Sequence, residues 1–275
     1  MIDGRNVNPL HIVVCGSIVP DPLQTLEPIE SAAGPALRNE ALLPAIFDPW
    51  AATALYEAAH LARQAEGTRL WVVSLAPKAK TQQVMMSLAQ KAPFELVLLD
   101  GPAHGFTDAH ETAMFLAEAI EALPGLEREW LLLFGGWESA SRGQGATLSI
   151  VGERLGIRDQ FQGVDRITLG GDGSFEVMER VEGGRHLVSR CAGPPAVLGW
   201  ATGERPEPRN DPQMGMKNMR LLLPALGKAQ TVKPVGEGFA YQNVQLPSQR
   251  RQTRIVKDQA AEAVAAEILE WMRGS

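Results

Sequence analysis

The amino-acid sequence predicts an α/β fold: a Rossmann-like parallel sheet covered by helices, with an antiparallel hairpin extension and a C-terminal arm plus helix. Short apolar strands alternate with amphipathic helices over residues 11–156, which is typical of βαβ units and a parallel sheet. Apolar residues then recur with a period of two between glycine-rich turns, which indicates antiparallel hairpins. These two patterns predict the order of the elements along the chain.

The predicted strands of the first part are short apolar runs, and the predicted helices have apolar residues at threefold and fourfold spacing. The strands are His11–Cys15, Leu70–Leu75, Leu96–Leu99 and Leu131–Phe134, and the helices cover 49–64, 78–91 and 109–123. Asp48 and Pro49 together form a good helix start, because Asp is a preferred N-cap and Pro suits the first helical position. Ligands of parallel sheets bind beyond the carboxyl ends of the strands, so the loops after these strands predict a pocket.

A glycine-rich loop between Gly135 and Thr147 follows the fourth strand and leads into a helix that ends near Gly156. The first N–H groups of a helix have no intrahelical partner and lie at the positive end of the helix dipole, which favours bound phosphate. This predicts a nucleotide site. The glycine spacing matches neither the dinucleotide fingerprint nor the P-loop, so a plain surface loop remains an open alternative.

After Gly156 the sequence predicts hairpin strands over 164–169, 175–181 and 186–191, and a further strand over 196–200. A polar, proline-rich stretch over 203–208 predicts a boundary between a domain of residues 1–205 and a second region of residues 206–275. Residues 209–255 show little periodicity and are interpreted as an extended arm. Residues 258–273 have the pattern of an amphipathic helix.

Composition excludes several classes of function. The 275 residues carry a net charge of -6, whereas a general nucleic-acid binder needs a basic surface. No apolar run approaches the ~20 residues that span a bilayer, and the N-terminal residues lack the features of a secretory signal, so we expect a cytoplasmic protein without membrane insertion. Cys15 and Cys191 lack metal-ligand spacing, and Ser139 and Ser141 lack the pattern of a hydrolase triad. We therefore expect no metal site and no hydrolase triad.

Several segments resemble the electron transfer flavoprotein β subunit family, and they occur in the family's order. Residues 12–21, with the sequence IVVCGSIVPD, are similar to the family's first strand and loop. Phe47-Asp48, residues 72–77 and the glycine loop with its helix, residues 136–156, continue the similarity. Further matches follow at Pro208-Arg209, Met216-Lys217 and residues 247–250. The resemblance covers nearly the whole chain and indicates a divergent member.

The resemblance implies a heterodimer with an α subunit that holds most of the FAD, while this chain binds AMP. Electrons would pass from a flavin-dependent dehydrogenase towards a membrane quinone reductase, with the redox chemistry in the flavin, so the chain would be an electron carrier subunit and not an enzyme. Two alternatives remain open. One is a bifurcating flavoprotein subunit with a second FAD, and the other is a stand-alone regulatory protein of the same fold that binds adenine nucleotides.

Carried over by position, the resemblance makes residues 1–205 the adenine-nucleotide-binding domain and residues 206–275 a partner-recognition loop, extended arm and C-terminal helix. The nucleotide-binding positions would be Cys15, Ala45, Ile46, Phe47, Leu75, Gly136, Trp137, Ser141, Arg142, Gly143, Gln144, Gly145, Ala146 and Thr147. The partner-docking positions would be Gln213, Met214, Met216 and Lys217. Among these, Thr147 and Arg142 are expected to contact phosphate, and Trp137 to stack on adenine.

Overall fold

The computed structural model describes residues 9–32, 34–102, 107–141, 143, 145–233, 245–246 and 253–274. Contacts divide the chain into two compact units. The first unit comprises residues 1–27 and 37–242, and the second comprises residues 28–36 and 243–275. The first unit therefore continues past residue 205, where the sequence predicts a domain boundary.

Strands and α-helices alternate from residue 45 to residue 154, as the sequence predicts for this part of the chain. The strands are β1 His11–Cys15, β2 Ile18–Pro20, β3 Pro28–Ser31, β4 Gly34–Leu37, β5 Ala45–Phe47, β6 Arg69–Leu75, β7 Glu95–Asp100, β8 Leu131–Gly136, β9 Asp159–Leu169, β10 Phe175–Val181, β11 Arg185–Cys191, β12 Ala196–Trp200 and β13 Gln230–Thr231. The helices are α1 Pro49–Ala62, α2 Lys78–Leu88, α3 Ala109–Glu121, α4 Ala146–Arg154, α5 Pro212–Gly227 and α6 Ala261–Arg273.

A nine-stranded sheet forms the centre of the first unit, with the order β11-β10-β9-β12-β8-β1-β6-β7-β13. All neighbours from β9 to β13 in this order are parallel. Strand β10 is antiparallel to both β9 and β11. The predicted α/β class, with a parallel sheet and an antiparallel extension, is thus confirmed.

Helices cover both faces of this sheet because alternate residues of each buried strand point to opposite sides. In β1, Ile12 and Val14 belong to a core shared with α1, α2 and α5. Val13 and Cys15 belong to the opposite core, which is shared with α3 and α4. The first unit therefore has three layers, and the loops after β1, β6 and β8 emerge at one edge.

Helix α5 corrects the prediction of an aperiodic arm after residue 209. Asp211 caps this helix by accepting hydrogen bonds from Gln213 N and Met214 N. Leu222 and Leu226 are buried in the same core as α1 and α2. The apolar residues of α5 therefore stabilise the first unit itself.

Two short antiparallel pairs are additions to the predicted elements. Strand β2 pairs with β5, which places Ile18 opposite Phe47 and Pro20 opposite Ala45. Strand β3 pairs with β4. The first of these pairs matters for the site, because it holds the loop after β1 against the start of α1.

The second unit contains the predicted C-terminal helix, observed as α6. No residue of α6 is buried, and Ile268, Leu269, Trp271 and Met272 are exposed. Arg254 forms an ion pair with Glu267 of this helix. Across the described part of the chain, none of the helices has both the length and the apolar character needed to cross a membrane.

Candidate functional site

A cavity of about 110 Å³ lies at the carboxyl ends of the adjacent strands β8, β1 and β6. Its wall is built from the loop after β1, the starts of α1 and α4, the first turns of α3 and the loop after β8. The lining residues are Cys15, Gly16, Ser17, Ile18, Asp48, Ala51, Leu75, Ala109, Thr112, Leu116, Gly136, Glu138, Ser139, Ser141, Gly145, Ala146, Thr147 and Leu148. This is the edge at which the strand order of a parallel sheet predicts a ligand.

Two glycines shape the loop between β8 and α4. Gly145 has a φ of 61°, and a Cβ atom on it would lie 1.7 Å from the carbonyl oxygen of Trp137. Gly136 approaches the start of α1 so closely that a Cβ atom would lie 2.6 Å from Trp50 Cβ. Only glycine fits either position without a backbone shift. The glycines therefore let the loop backbone pack closely against the carbonyl group of Trp137 and the start of α1.

Asp48 connects this loop to α1. Its Oδ2 accepts hydrogen bonds from Ala140 N at 2.8 Å and Ser139 Oγ at 3.1 Å, and its Oδ1 accepts one from Trp50 N at 3.1 Å. The Asp48 backbone N–H also donates to Ser17 O at 2.9 Å. One residue thus joins the loop after β1, the start of α1 and the glycine loop.

The electrostatics of Asp48 reflect its position in the wall of the cavity. The residue is only 2% exposed, and burial raises the pKa of its carboxyl group. The hydrogen bonds that the carboxylate accepts act in the opposite direction. Its lone pairs are therefore engaged by the protein itself, which makes Asp48 a structural part of the wall.

The three helices that begin at the cavity differ in how their first N–H groups are satisfied. Asp48 caps α1, and Asp108 caps α3 by accepting from His110 N and Glu111 N. Helix α4 begins after Gly145, and no side-chain hydrogen bond caps it. The start of α4 therefore offers N–H donors at the cavity, where Gly145, Ala146 and Thr147 line the wall.

The loop after β1 packs tightly below the cavity. A Cβ atom on Gly16 would lie 2.1 Å from the ring of Phe47, so the ring occupies the space that a side chain would need. Burial raises the pKa of the Cys15 thiol to about 12. The thiol is therefore protonated at physiological pH and contributes packing to the wall, not a nucleophile.

The cavity contains many of the predicted nucleotide-binding residues but not all of them. Those that line it are Cys15, Leu75, Gly136, Ser141, Gly145, Ala146 and Thr147. Those that do not are Ala45, Ile46, Phe47, Trp137 and Gly143. Arg142 and Gln144 lie outside the described residues. Ala45, Ile46 and Phe47 instead line a second cavity of about 880 Å³, together with residues of α1 and α2.

Trp137 extends away from the first cavity. A Cβ atom on Gly163 of β9 would lie 3.3 Å from the Trp137 ring, and the Arg180 guanidinium lies 6.0 Å from the ring centroid. Arg180 is itself held by Asp165, with Nε donating to Oδ2 at 3.1 Å. The Trp137 ring thus packs on the antiparallel extension, and Trp137 is not among the residues that line the cavity.

Several lining residues were absent from the predicted set. Glu138 and Ser139 belong to the glycine loop that the sequence singles out, and Gly16, Ser17 and Ile18 follow a predicted strand. Both signals were available in the sequence. Asp48 has a local signal as the N-cap of α1, but its hydrogen bond to Ala140 joins residues 92 positions apart and has no such signal.

The predicted docking residues lie on a helix instead of a loop. Gln213, Met216 and Lys217 are exposed in the first turns of α5, and Met214 is half-buried. Met216 is 69% exposed. Gly215 and Asn218 face inward, where Asn218 Nδ2 donates to Ala89 O at 2.8 Å. The exposed residues therefore form one side of a helix that is fixed to the body of the first unit.

Comparisons with known proteins leave the family open, because neither the search against protein-family models nor the search of curated proteins found a match for this chain.

Proposed function

We propose that this chain binds an adenine nucleotide, AMP, as the β subunit of an electron transfer flavoprotein. The observation that carries the proposal is the uncapped start of α4 in the wall of the cavity at the carboxyl ends of β8, β1 and β6. The ordered resemblance of the segments from residue 12 to residue 250 supports the choice of family. The nucleotide would have a structural role, and the chain would carry no catalytic residue.

The residues of the cavity fit a phosphate at one end. The N–H groups at the start of α4 and the hydroxyl group of Thr147 are the donors that would hold phosphate oxygens, since no side chain caps them. Ser139 and Ser141 add hydroxyl groups to the wall. Among the described lining residues there is no lysine or arginine, so backbone and hydroxyl donors would have to carry this recognition.

The size of the cavity sets a condition on this proposal. About 110 Å³ is below the roughly 300–1,000 Å³ of typical ligand pockets. Ser141 and Gly143 of the glycine-rich loop, and Ala146 at the start of α4, are exposed. A nucleotide therefore requires the loop to move outward, or part of the ligand to lie outside the enclosed space.

The proposed partners are an α subunit with most of the FAD, a flavin-dependent dehydrogenase as donor and a quinone reductase as acceptor. FAD would supply the electron transfer when bound, and this chain would help to hold it and present a docking surface. The exposed side of α5 around Met216 is the surface that we propose for the dehydrogenase.

Purification of the chain from its native source tests the proposal. A yellow complex with a second subunit, containing FAD and stoichiometric AMP, would support it. A complex with two FAD and no AMP would favour the bifurcating alternative. A colourless protein without a partner subunit that binds ATP or AMP would favour the regulatory alternative, and a protein that binds no adenine nucleotide would contradict the proposal.

A further inference from the structure

Two acidic residues line the cavity, and the surroundings of their carboxylates differ. Asp48 is 2% exposed and accepts hydrogen bonds from Trp50, Ser139 and Ala140. Glu138 is half-buried in the same wall, and its carboxylate has no hydrogen-bond or ion-pair partner among the described residues. The protein thus supplies hydrogen-bond donors to the carboxylate of Asp48 but none, among the described residues, to the carboxylate of Glu138.

A carboxylate without protein partners at a ligand cavity favours ligands that donate hydrogen bonds to it. An ionised carboxylate only accepts hydrogen bonds, and it repels a phosphate group of like charge. The phosphate end of a ligand therefore belongs at the start of α4, and a neutral, donor-bearing part of the ligand belongs near Glu138. In a nucleotide, the ribose hydroxyl groups are neutral donors joined to the phosphate through the sugar.

We propose that Glu138 accepts hydrogen bonds from the ribose hydroxyl groups and so makes the site selective for nucleotides that carry the 2′- and 3′-hydroxyl groups. This inference rests on the proposed function of the cavity as an adenine-nucleotide site. Carboxylates bind ribose hydroxyl groups in this way in other nucleotide-binding α/β folds, where the acid follows a later strand. Here the acid lies within the glycine loop itself, two positions after the end of β8.

The test compares the affinities of AMP and 2′,3′-dideoxy-AMP by titration calorimetry. The protein is the full chain, with its partner subunit if one co-purifies, after dialysis against charcoal to remove bound nucleotide. We expect wild type to bind AMP about tenfold to hundredfold more tightly, since hydrogen bonds to a charged group are at stake. Glu138→Ala should reduce this ratio to about one. Glu138→Gln keeps one acceptor oxygen and should give an intermediate ratio.

Glu153→Ala is the matched control, because Glu153 is an exposed acid of α4 outside the cavity wall. It should leave the ratio unchanged. Both ligands carry the same phosphate charge, so a general electrostatic effect of removing an acid cancels in the ratio. Equal binding of the two nucleotides by wild type, or an unchanged ratio in Glu138→Ala, would overturn the inference alone. A wild-type protein that binds neither would overturn the proposed function and this inference together.

Discussion

The carboxylate of Asp48 accepts a hydrogen bond from the backbone N–H of Ala140 at 2.8 Å, across 92 positions of sequence. The same carboxylate caps α1 through Trp50 N. The glycine loop is thereby tied to the first helix, and through Ser17 to the loop after β1. One buried residue thus joins three segments of the cavity wall.

Replacing Asp48 by alanine should therefore affect both stability and ligand binding. The change removes the acceptor of two half-buried donors, Ala140 N and Ser139 Oγ, and removes the cap of α1. We expect a loss of about 2 kcal/mol in the free energy of unfolding, because a lost N-cap costs ~1 kcal/mol and the unpaired N–H of Ala140 adds about as much. Urea unfolding measures this loss, and calorimetry should show weaker AMP binding.

Asp211→Ala provides the control for Asp48→Ala, since Asp211 caps α5 locally and is exposed. It should cost only the ~1 kcal/mol of a lost N-cap and leave AMP affinity unchanged. Equal stability losses in the two variants would show that the contact between Asp48 and the glycine loop adds nothing.

Adjacent leucines of α5 test whether this helix belongs to the core. Leu222 is fully buried and Leu221 is 58% exposed. Leu222→Ala should reduce the free energy of unfolding by about 2–5 kcal/mol, through lost burial and a residual cavity. Leu221→Ala should change it by less than about 0.5 kcal/mol. Similar values for both variants in urea unfolding would contradict the packing of α5 on the sheet.

The ion pair of Asp165 with Arg180 predicts a loss of stability in acid. Burial of Asp165 opposes its ionisation, but the hydrogen bonds and charge of Arg180 outweigh burial, so the pKa of Asp165 lies below its usual value of 3.8. The folded-state pKa is the lower one, so this contribution is present above about pH 3.8 and is lost as the pH falls through the folded-state value.

Thermal unfolding of Asp165→Asn at several pH values measures this effect. The difference in Tm between wild type and the variant should be largest at neutral pH and shrink as the pH falls below about 3.8, because the unfolded chain is protonated first and folded Asp165 only at its lower pKa. His186 Nε2 also lies 3.4 Å from Asp165 Oδ2, so the comparison should be repeated in His186→Ala to isolate Arg180. Glu176→Gln, an exposed change on β10, serves as the control variant in the same measurement.

Substitution of Met216 tests the proposed docking surface. If this exposed side chain is buried by the donor dehydrogenase, Met216→Ala should slow flavin reduction at limiting protein concentration by about tenfold, with flavin content unchanged. Anaerobic stopped-flow reduction by the native dehydrogenase provides the measurement. Val188→Ala, an exposed apolar change on β11, is the control. Unchanged reduction in Met216→Ala would place docking elsewhere.

The centre of the main sheet could be predicted from sequence because β1, β6, β7 and β8 are short, largely buried apolar runs separated by helices. His11–Cys15 and Leu131–Phe134 appear in the structure within two residues of their predicted ends. The three-residue strands β2 and β5 have no such signal, because their pairing joins residues far apart in sequence. Helix α5 has the start signal Asp211-Pro212, but Gly215 and Pro224 interrupt its pattern. A glycine is needed at position 215, because a Cβ atom there would lie 2.6 Å from Cγ of Gln90.

The site was predictable to the extent that it follows from one glycine-rich loop. That loop identified Gly136, Gly145 and Thr147 in the cavity wall. The packing of Trp137 on β9 and the hydrogen bond of Asp48 to Ala140 join distant residues, which no local pattern encodes, although the role of Asp48 as the cap of α1 was predictable. Ala45 and Phe47 came from positional resemblance, and their pairing with β2 turns them towards the second cavity.

The nucleotide content of the purified protein tests the central claim most directly, when measured on wild type and two glycine variants. Both glycines have a positive φ, so alanine is strained at either position. Gly145→Ala also places a Cβ atom 1.7 Å from Trp137 O, whereas the Cβ atom of Gly173→Ala, in a hairpin turn, has nothing within 4 Å. After denaturation, ion-exchange chromatography of the supernatant should show stoichiometric AMP for wild type and Gly173→Ala, and little for Gly145→Ala. Absence of adenine nucleotide from wild type, or equal content in Gly145→Ala, would contradict nucleotide binding at this loop.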